Sequence, residues 1–299
     1  MLFFTTIFYK IIAKHEIFLY LCTLIATDMC PMNKCLRLGE RLLSLKSPLV
    51  MAIVNATPDS FFADSRAADE VSLRKAFERT VAEGAHIIDI GACSTRPAVQ
   101  TGGMADEQQE WQRLNMALSV AGQMNVALPV SIDTFRAGVA RRAIEEYGVA
   151  MINDVSGGSE EMFDLVAHYN VAYVLTYNRS RAGQTTDNLL SDALAFFSHK
   201  VDDLHRRGVS DVVIDPGFGF WQTAAQSLDL LANLGALRHL GCPILAGISR
   251  KRMAYEPLGL TPETCLEQTL LLEQQAVIQG ASILRVHDVA PTISFLAGA

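Results

Sequence analysis

Asp215 closes the apolar run Val212-Val213-Ile214 and is followed at once by Pro216-Gly217 and then Phe218-Gly219-Phe220. A run of β-branched residues reads as a buried parallel strand, and a carboxylate at its C-terminal end sits where α/β sheets and barrels bind ligands. The same plan recurs along the chain. Asn55 follows Leu49–Val54, and Asp89 and Gly91 close His86–Ile90. Asp133 follows Leu128–Ile132, Asn153 and Asp154 follow Ala150–Ile152, and Thr176 to Asn178 follow Ala172–Leu175. Ser249 to Lys251 follow Pro243–Ile248, and Arg285 to Asp288 close Ser282–Val286. One polar strand end is as well explained by a cap or a turn. Repetition at successive strand ends points instead to a ring of groups around one ligand.

The residue types suggest what that ligand is. Asn55 opens Asn55-Ala56-Thr57-Pro58-Asp59, where Asn, Pro and Asp suit a tight turn, but a strand-end amide oxygen can also meet Mg²⁺. Ser94-Thr95-Arg96-Pro97 brings a guanidinium able to grip a phosphate or carboxylate in two places. Asp133 and Asn153 together offer an acceptor and a donor to the edge of a polar heterocycle. Asp154 has a second reading as a helix cap. In Ser249-Arg250-Lys251 two adjacent cations are costly unless one enters a polar site, and Lys251 is the candidate neighbour of Asp215. Arg285 and His287, two apart, point to one face and suit a diphosphate. Asp288 either orients His287 or caps a helix.

Between the strands run helical patterns at Asp69–Glu83, Ala105–Met124, Arg136–Tyr147, Glu160–Tyr169, Asn188–Arg207, Thr223–Leu240 and Pro262–Gln279, with Gly84, Gly148, Asn170, Gly208, Gly241 and Gly280 just past their ends as C-caps. Thr134 and Ser159 are the expected N-caps. Strand–helix alternation over this length predicts a (β/α)8 barrel of the α/β class, with an open doubly wound sheet as the alternative; no G-x-G-x-x-G follows the first strand. Leu36–Leu45, turning at Gly39, reads as a short hairpin ahead of the barrel, and any helix after the last strand must be short.

The chain has 299 residues, 50% hydrophobic and 19% charged, with a net charge of −7. A large core fits this composition, and a nucleic-acid-binding surface, which needs a basic stripe, does not. The six cysteines are scattered without C-x-x-C spacing and read as reduced thiols. Residues 1–31 form a hydrophobic extension, read as a mis-called start ahead of a single domain over 32–299. Its uncharged run Ile17–Thr27 is shorter than the ~20 residues a membrane span needs, so no membrane association is expected beyond a surface tail.

Taken together, Asn55–Phe61, Ile87–Pro97, Val130–Ala137, Met151–Gly158, Val213–Phe220, Ile248–Lys251 and Arg285–Val289 resemble the dihydropteroate synthase family, in that family's order. The resemblance implies a barrel that condenses a pterin diphosphate with p-aminobenzoate, through a cation-like pterin methylene attacked by a neutral aniline. It implies that Asp133, Asn153, Asp215 and Lys251 hold the pterin, and that Asn55, Arg285 and His287 hold the diphosphate and Mg²⁺, with Asn55 as metal ligand. Thr95, Arg96, Pro97, Phe220 and Ser249 would then form the p-aminobenzoate side, where sulfonamides compete. Asp133, Lys251, Arg285 and His287 are the expected catalytic set. A cytoplasmic homodimer is also implied. Four places depart from the family: Gly91-Ala92-Cys93 stands where many members carry Gly-Gly-Glu or similar, Ala98 follows Pro97 in place of Gly, Trp221-Gln222 replaces a small residue and Lys, and Thr176-Tyr177-Asn178 replaces a Met-His-Met-type segment. Tyr177 and Asn178 are expected to change the shape and polarity of the pterin pocket. A non-catalytic pterin-binding paralogue stays open for that reason, and a corrinoid methyltransferase domain is a more distant alternative.

Overall fold

A computed structural model describes residues 35–56, 66–93, 106–178 and 188–298, the side chains of 66–69 excepted. The expectations for residues 1–31, for Thr57 to Phe61 and for Ser94 to Ala98 lie outside those residues.

Eight parallel strands close a barrel: β3 (Leu49–Asn55), β4 (Ile87–Gly91), β5 (Val130–Asp133), β6 (Met151–Asp154), β7 (Ala172–Thr176), β8 (Val212–Asp215), β9 (Ile244–Ala246) and β10 (Ala281–Val286), with β10 pairing both β9 and β3. Helices surround it: α1 (Arg66–Ala82), α2 (Glu107–Gln123), α3 (Ala137–Tyr147), α4 (Glu160–Tyr169), α5 (Leu189–Arg206), α6 (Ala224–Ala232), α7 (Arg252–Tyr255), α8 (Leu266–Ile278) and α9 (Val289–Ala297). The closed barrel removes the open-sheet alternative. All six expected C-caps take positive φ, from +53° at Asn170 to +104° at Gly280. Ser159 caps α4 by accepting from Met162 N.

Three differences from the sequence reading have a local chemical cause. The expected helix Thr223–Leu240 breaks at Asn233, and Leu234–Leu240 continues as a 3₁₀ helix. Asn233 and Gly235 are weak helix formers placed together. The expected start at Pro262 is a turn, in which Thr261 N bonds Thr264 Oγ1, so α8 begins at Leu266. Thr134 does not cap α3; the cap position falls to Arg136, while the Thr134 hydroxyl donates to Glu110 Oε1 at 2.5 Å.

The hairpin of β1 (Cys35–Leu38) and β2 (Arg41–Ser44) turns at Gly39 as expected. Its Leu36 and Leu38 are buried with Leu49, Met51, Ile87, Met151, Val174, Val213, Leu245 and Ile283, which fill the lower barrel interior. The hairpin is thus an apolar plug at the end of the barrel away from the strand C-termini. A larger core lies between strands and helices. Among the described residues no helix is long and apolar enough to cross a membrane.

Candidate active site

Alternate strand residues face the barrel axis. Two positions beyond the lower apolar layer, the interior changes character. Ile87 leads to Asp89, Met151 to Asn153, Val174 to Thr176, Val213 to Asp215, Leu245 to Gly247 and Ile283 to Arg285. Asp89, Ser131, Asn153, Thr176 and Asp215 are all buried. A polar layer on an apolar floor, open towards the strand C-termini, is the arrangement a polar ligand requires.

On one side of the layer, Arg285 donates from Nε to Asp89 at 2.6 Å and from Nη2 to Asp133 at 2.8 Å. Burial alone would lower the Arg285 pKa, but Asp89 and Asp133 outweigh it and raise it. Burial pushes Asp133 up to about 7, opposed by Arg285 and reinforced by Asp89, Glu110 and Asp154. Gly91 keeps the space between Asn55 and Asp133 free of a side chain. A Cβ there would lie 3.7 Å from Asn55 Oδ1 and 4.0 Å from Asp133 Oδ2.

On the other side stand Asp215 and Lys251. Asp215 Oδ1 accepts from Gly217 N at 2.8 Å, anchoring its own loop. Its other oxygen faces Gly247, as does Lys251 Nζ. Lys251 donates to the Phe218 carbonyl at 2.6 Å and lies 5.2 Å from the Phe220 ring centre. Burial brings Lys251 down to about 8, with Asp215 opposing the shift, and burial raises Asp215 against the pull of Lys251. The neighbourhood of Lys251 and Asp215 is therefore as the sequence suggested, although no ion pair closes between them. Arg250, at φ +57°, turns outward and pairs with Asp288 in a bidentate bond, Nη2 donating at 2.7 Å and Nε at 3.1 Å. Asp288 therefore neither orients His287 nor caps α9 with its side chain. His287 meets Ser249 instead, through its backbone N at 3.2 Å and Nδ1 at 3.1 Å.

Two polar atoms of the layer are buried without a hydrogen-bond partner: Asn153 Oδ1 and Thr176 Oγ1. Buried polar groups cost free energy unless paired, so both mark places where a ligand atom would complete the set.

The departures from the family resolve differently. Tyr177 is 1% exposed and its ring packs on Phe196 and Phe197, at 5.3 and 6.3 Å between centres. It belongs to the layer between barrel and α5, not to the pocket wall, which corrects the expectation for that residue. Asn178 donates to the Val155 carbonyl at 2.8 Å. Of this stretch, Thr176 is the residue whose side chain lies in the buried polar layer, with its hydroxyl unpaired. Gln222 is buried and braces the loop after β8, donating to Gly217 O at 3.1 Å and accepting from Ser227 at 2.9 Å. Trp221 sits at φ +60° and is 55% exposed. Asp154, the alternative cap, instead accepts from Ser156 N and the Tyr173 hydroxyl.

Sequence reading brought together Asn55, Asp133, Asn153, Asp215, Phe220, Ser249, Lys251, Arg285 and His287, and these do gather at one mouth. It placed Asp89 and Thr176 at strand ends without giving either a role in the site, and it did not single out Ser131 or Gly247. The available signal was the charge inside the apolar run Ile87-Ile88-Asp89-Ile90, which a buried strand tolerates only with partners.

The chain matches the family described as pterin binding enzyme over residues 51–287. It is 37% identical over 258 residues to a dihydropteroate synthase of Synechocystis sp., covering 82% of this chain and 86% of that one. A dihydropteroate synthase of Xanthomonas albilineans with 4-aminobenzoic acid superposes with a TM-score of 0.79 at 35% identity, over 89% of this chain and 96% of that one. A second structure from that organism, in complex with 7,8-dihydropteroate, gives a TM-score of 0.75 at 34% identity, over 88% and 97% of the two chains.

Proposed function

The chain belongs to the dihydropteroate synthase family, and on that premise we propose how its residues divide the work of making 7,8-dihydropteroate. The enzyme is a transferase of folate biosynthesis. It joins 6-hydroxymethyl-7,8-dihydropterin diphosphate to p-aminobenzoate and releases pyrophosphate. One observation carries the assignment of the pterin pocket: a polar layer that offers Asp215 Oδ2 and the Lys251 ammonium side by side at Gly247, together with the buried, unpaired Asn153 Oδ1. An aminopyrimidinone edge carries N–H donors for the two oxygens and a carbonyl for the ammonium.

Catalysis on this reading is charge placement. Arg285 has five N–H donors; those not spent on Asp89 and Asp133 remain for the departing diphosphate, together with His287. The anionic Asp133 faces the methylene as it turns cationic and stabilises it. The aniline nitrogen of p-aminobenzoate, neutral at working pH, attacks that carbon and later loses its proton. No covalent enzyme intermediate is needed. Phe220, half-buried beside Lys251, supplies an apolar wall for the benzoate ring, and Ser249 keeps His287 in place. Thr95, Arg96 and Pro97 remain proposed for the benzoate side on the family pattern, as does competition by sulfonamides.

Among the described residues no three His, Cys, Asp or Glu side chains gather to hold a metal. Mg²⁺ is commonly held by substrate phosphates, waters and one or two protein oxygens, and the Asn55 amide oxygen, beside Gly91 where no side chain intervenes, fits that donor set. When bound, the ion would neutralise diphosphate charge. A cytoplasmic homodimer is also proposed, on family membership.

The test is pyrophosphate release by the purified chain with both substrates present. Turnover abolished by Lys251→Ala, with an unchanged circular dichroism spectrum, is expected. Pterin binding without turnover in the wild type would favour the non-catalytic reading.

A further inference from the structure

Asp89 has no exposed surface and lies in the middle of the polar layer on β4. Its carboxylate accepts from three other strands: Ser131 Oγ on β5 at 2.7 Å, Asn153 Nδ2 on β6 at 3.0 Å and Arg285 Nε on β10 at 2.6 Å. An ionised carboxylate only accepts hydrogen bonds. The Asn153 amide must therefore turn its NH2 to Asp89, and its oxygen is left buried and unpaired. The same carboxylate takes the Nε side of Arg285, which leaves Nη2 to reach Asp133.

We propose that Asp89 is a positioning residue of the active site, fixing the Asn153 amide with its oxygen towards the pterin and holding the Arg285 guanidinium against Asp133. It acts through those two side chains and not by touching substrate. The inference rests on the pterin-condensing reading above. Its physical logic is that an amide can present either end, and a site that needs an acceptor at one place requires a fixed acceptor at the other.

Asp89→Asn keeps the shape, removes the charge and makes the flipped amide equally acceptable. The variant is compared with wild type by calorimetric binding of 6-hydroxymethylpterin and by steady-state kinetics in both substrates. Pterin affinity is expected to fall about tenfold or more, as for a lost hydrogen bond to a charged group, with the KM for p-aminobenzoate changed by no more than about twofold, since that substrate meets neither Asn153 nor Asp89. A double-mutant cycle with Asn153→Ala is expected to be non-additive, because each change removes the same oriented amide. The acidic limb of the pH profile is expected to move to lower pH, because Asp133, faced by Arg285, Asp89, Glu110 and Asp154, loses one negative neighbour.

Equal pterin affinity in Asp89→Asn, or strict additivity in the cycle, overturns the positioning role. If Asp89→Asn does not fold, Ser131→Ala decides: it loosens one oxygen of the same carboxylate, and an affinity loss of about threefold supports the proposal while none overturns it. A wild-type chain that binds no pterin would instead defeat the functional reading, so the two failures stay distinct.

Discussion

Lys251 and Asp215 meet across a missing side chain. A Cβ on Gly247 would stand 3.5 Å from Lys251 Nζ and 3.9 Å from Asp215 Oδ2. The ammonium is tied to the Phe218 carbonyl and one carboxylate oxygen to the Gly217 amide, so both charged groups are held still around space for a ligand.

That arrangement sets a pH window. Asp133, pushed up to about 7, must lose its proton to oppose a cation. Lys251, pushed down to about 8, must keep its proton to donate to a carbonyl. A narrow bell-shaped kcat/KM profile is expected, rising as Asp133 ionises and falling as Lys251 deprotonates, with limbs belonging to the coupled site. Asp215 holds the Lys251 pKa up, so Asp215→Asn is expected to lower it further. Titration of the lysine side chain by NMR in the free enzyme checks this, and an unmoved midpoint would contradict the coupling.

Gly247→Ala and Gly91→Ala probe the ligand space itself. Neither glycine has positive φ, so alanine brings no backbone strain at either site. A methyl at Gly247 enters the gap between Lys251 and Asp215, and one at Gly91 the gap between Asn55 and Asp133. Thermal stability is expected to hold or rise by about 0.4–1 kcal/mol, while the KM for the pterin diphosphate rises. By contrast Gly217→Ala, at φ +71°, would drive its methyl into the Tyr177 carbonyl and is expected to cost the fold. Unchanged kinetics in both permissive variants would mean that the gaps are not where substrate lies.

Thr176 should trade stability against affinity. Its hydroxyl is buried and unpaired, and an apolar group of the same shape avoids that cost. Thr176→Val is expected to raise the stability of the free enzyme by about 1 kcal/mol and to weaken pterin binding. Denaturant unfolding and calorimetry read the two halves. Loss of stability in the valine variant would show that the hydroxyl is already satisfied without ligand.

Glu273 on α8 accepts from Thr292 on α9 at 3.0 Å, while its other oxygen is unpaired. Burial raises its pKa from 4.5 to about 8, the Thr292 bond opposing and Asp288 adding. The folded state thus keeps this proton after the unfolded chain has lost it. Its contribution to stability is full at low pH and declines as pH rises from 4.5 towards about 8. The steepest slope is about 1.4 kcal/mol per pH unit. Glu273→Gln is expected to flatten the pH dependence across that interval in urea titrations; an unaltered slope would assign it to other groups.

Barrel order, strand ends and most helix ends were legible in the sequence, because each is a local consequence of chain chemistry. An apolar run such as Val212-Val213-Ile214 must be buried, a carboxylate just after it must reach a polar place, and Gly148 or Asn170 must end a helix where φ turns positive. The motif resemblance gave the chemistry in the same local way. What the sequence could not give was the pairing of strand ends across the barrel. Asp89 and Arg285 are 196 residues apart, and only closure of β10 onto β3 sets their side chains in one layer. Tyr177 shows the same limit from the other side: its position after β7 suggested a pocket residue, while Phe196 and Phe197 on α5 draw it into the core. Spacing along one strand fixes which face a residue takes. Which partners wait on that face, which end of the Asn153 amide stays unpaired and what pKa Asp133 adopts depend on distances and burial that exist only once the barrel has closed.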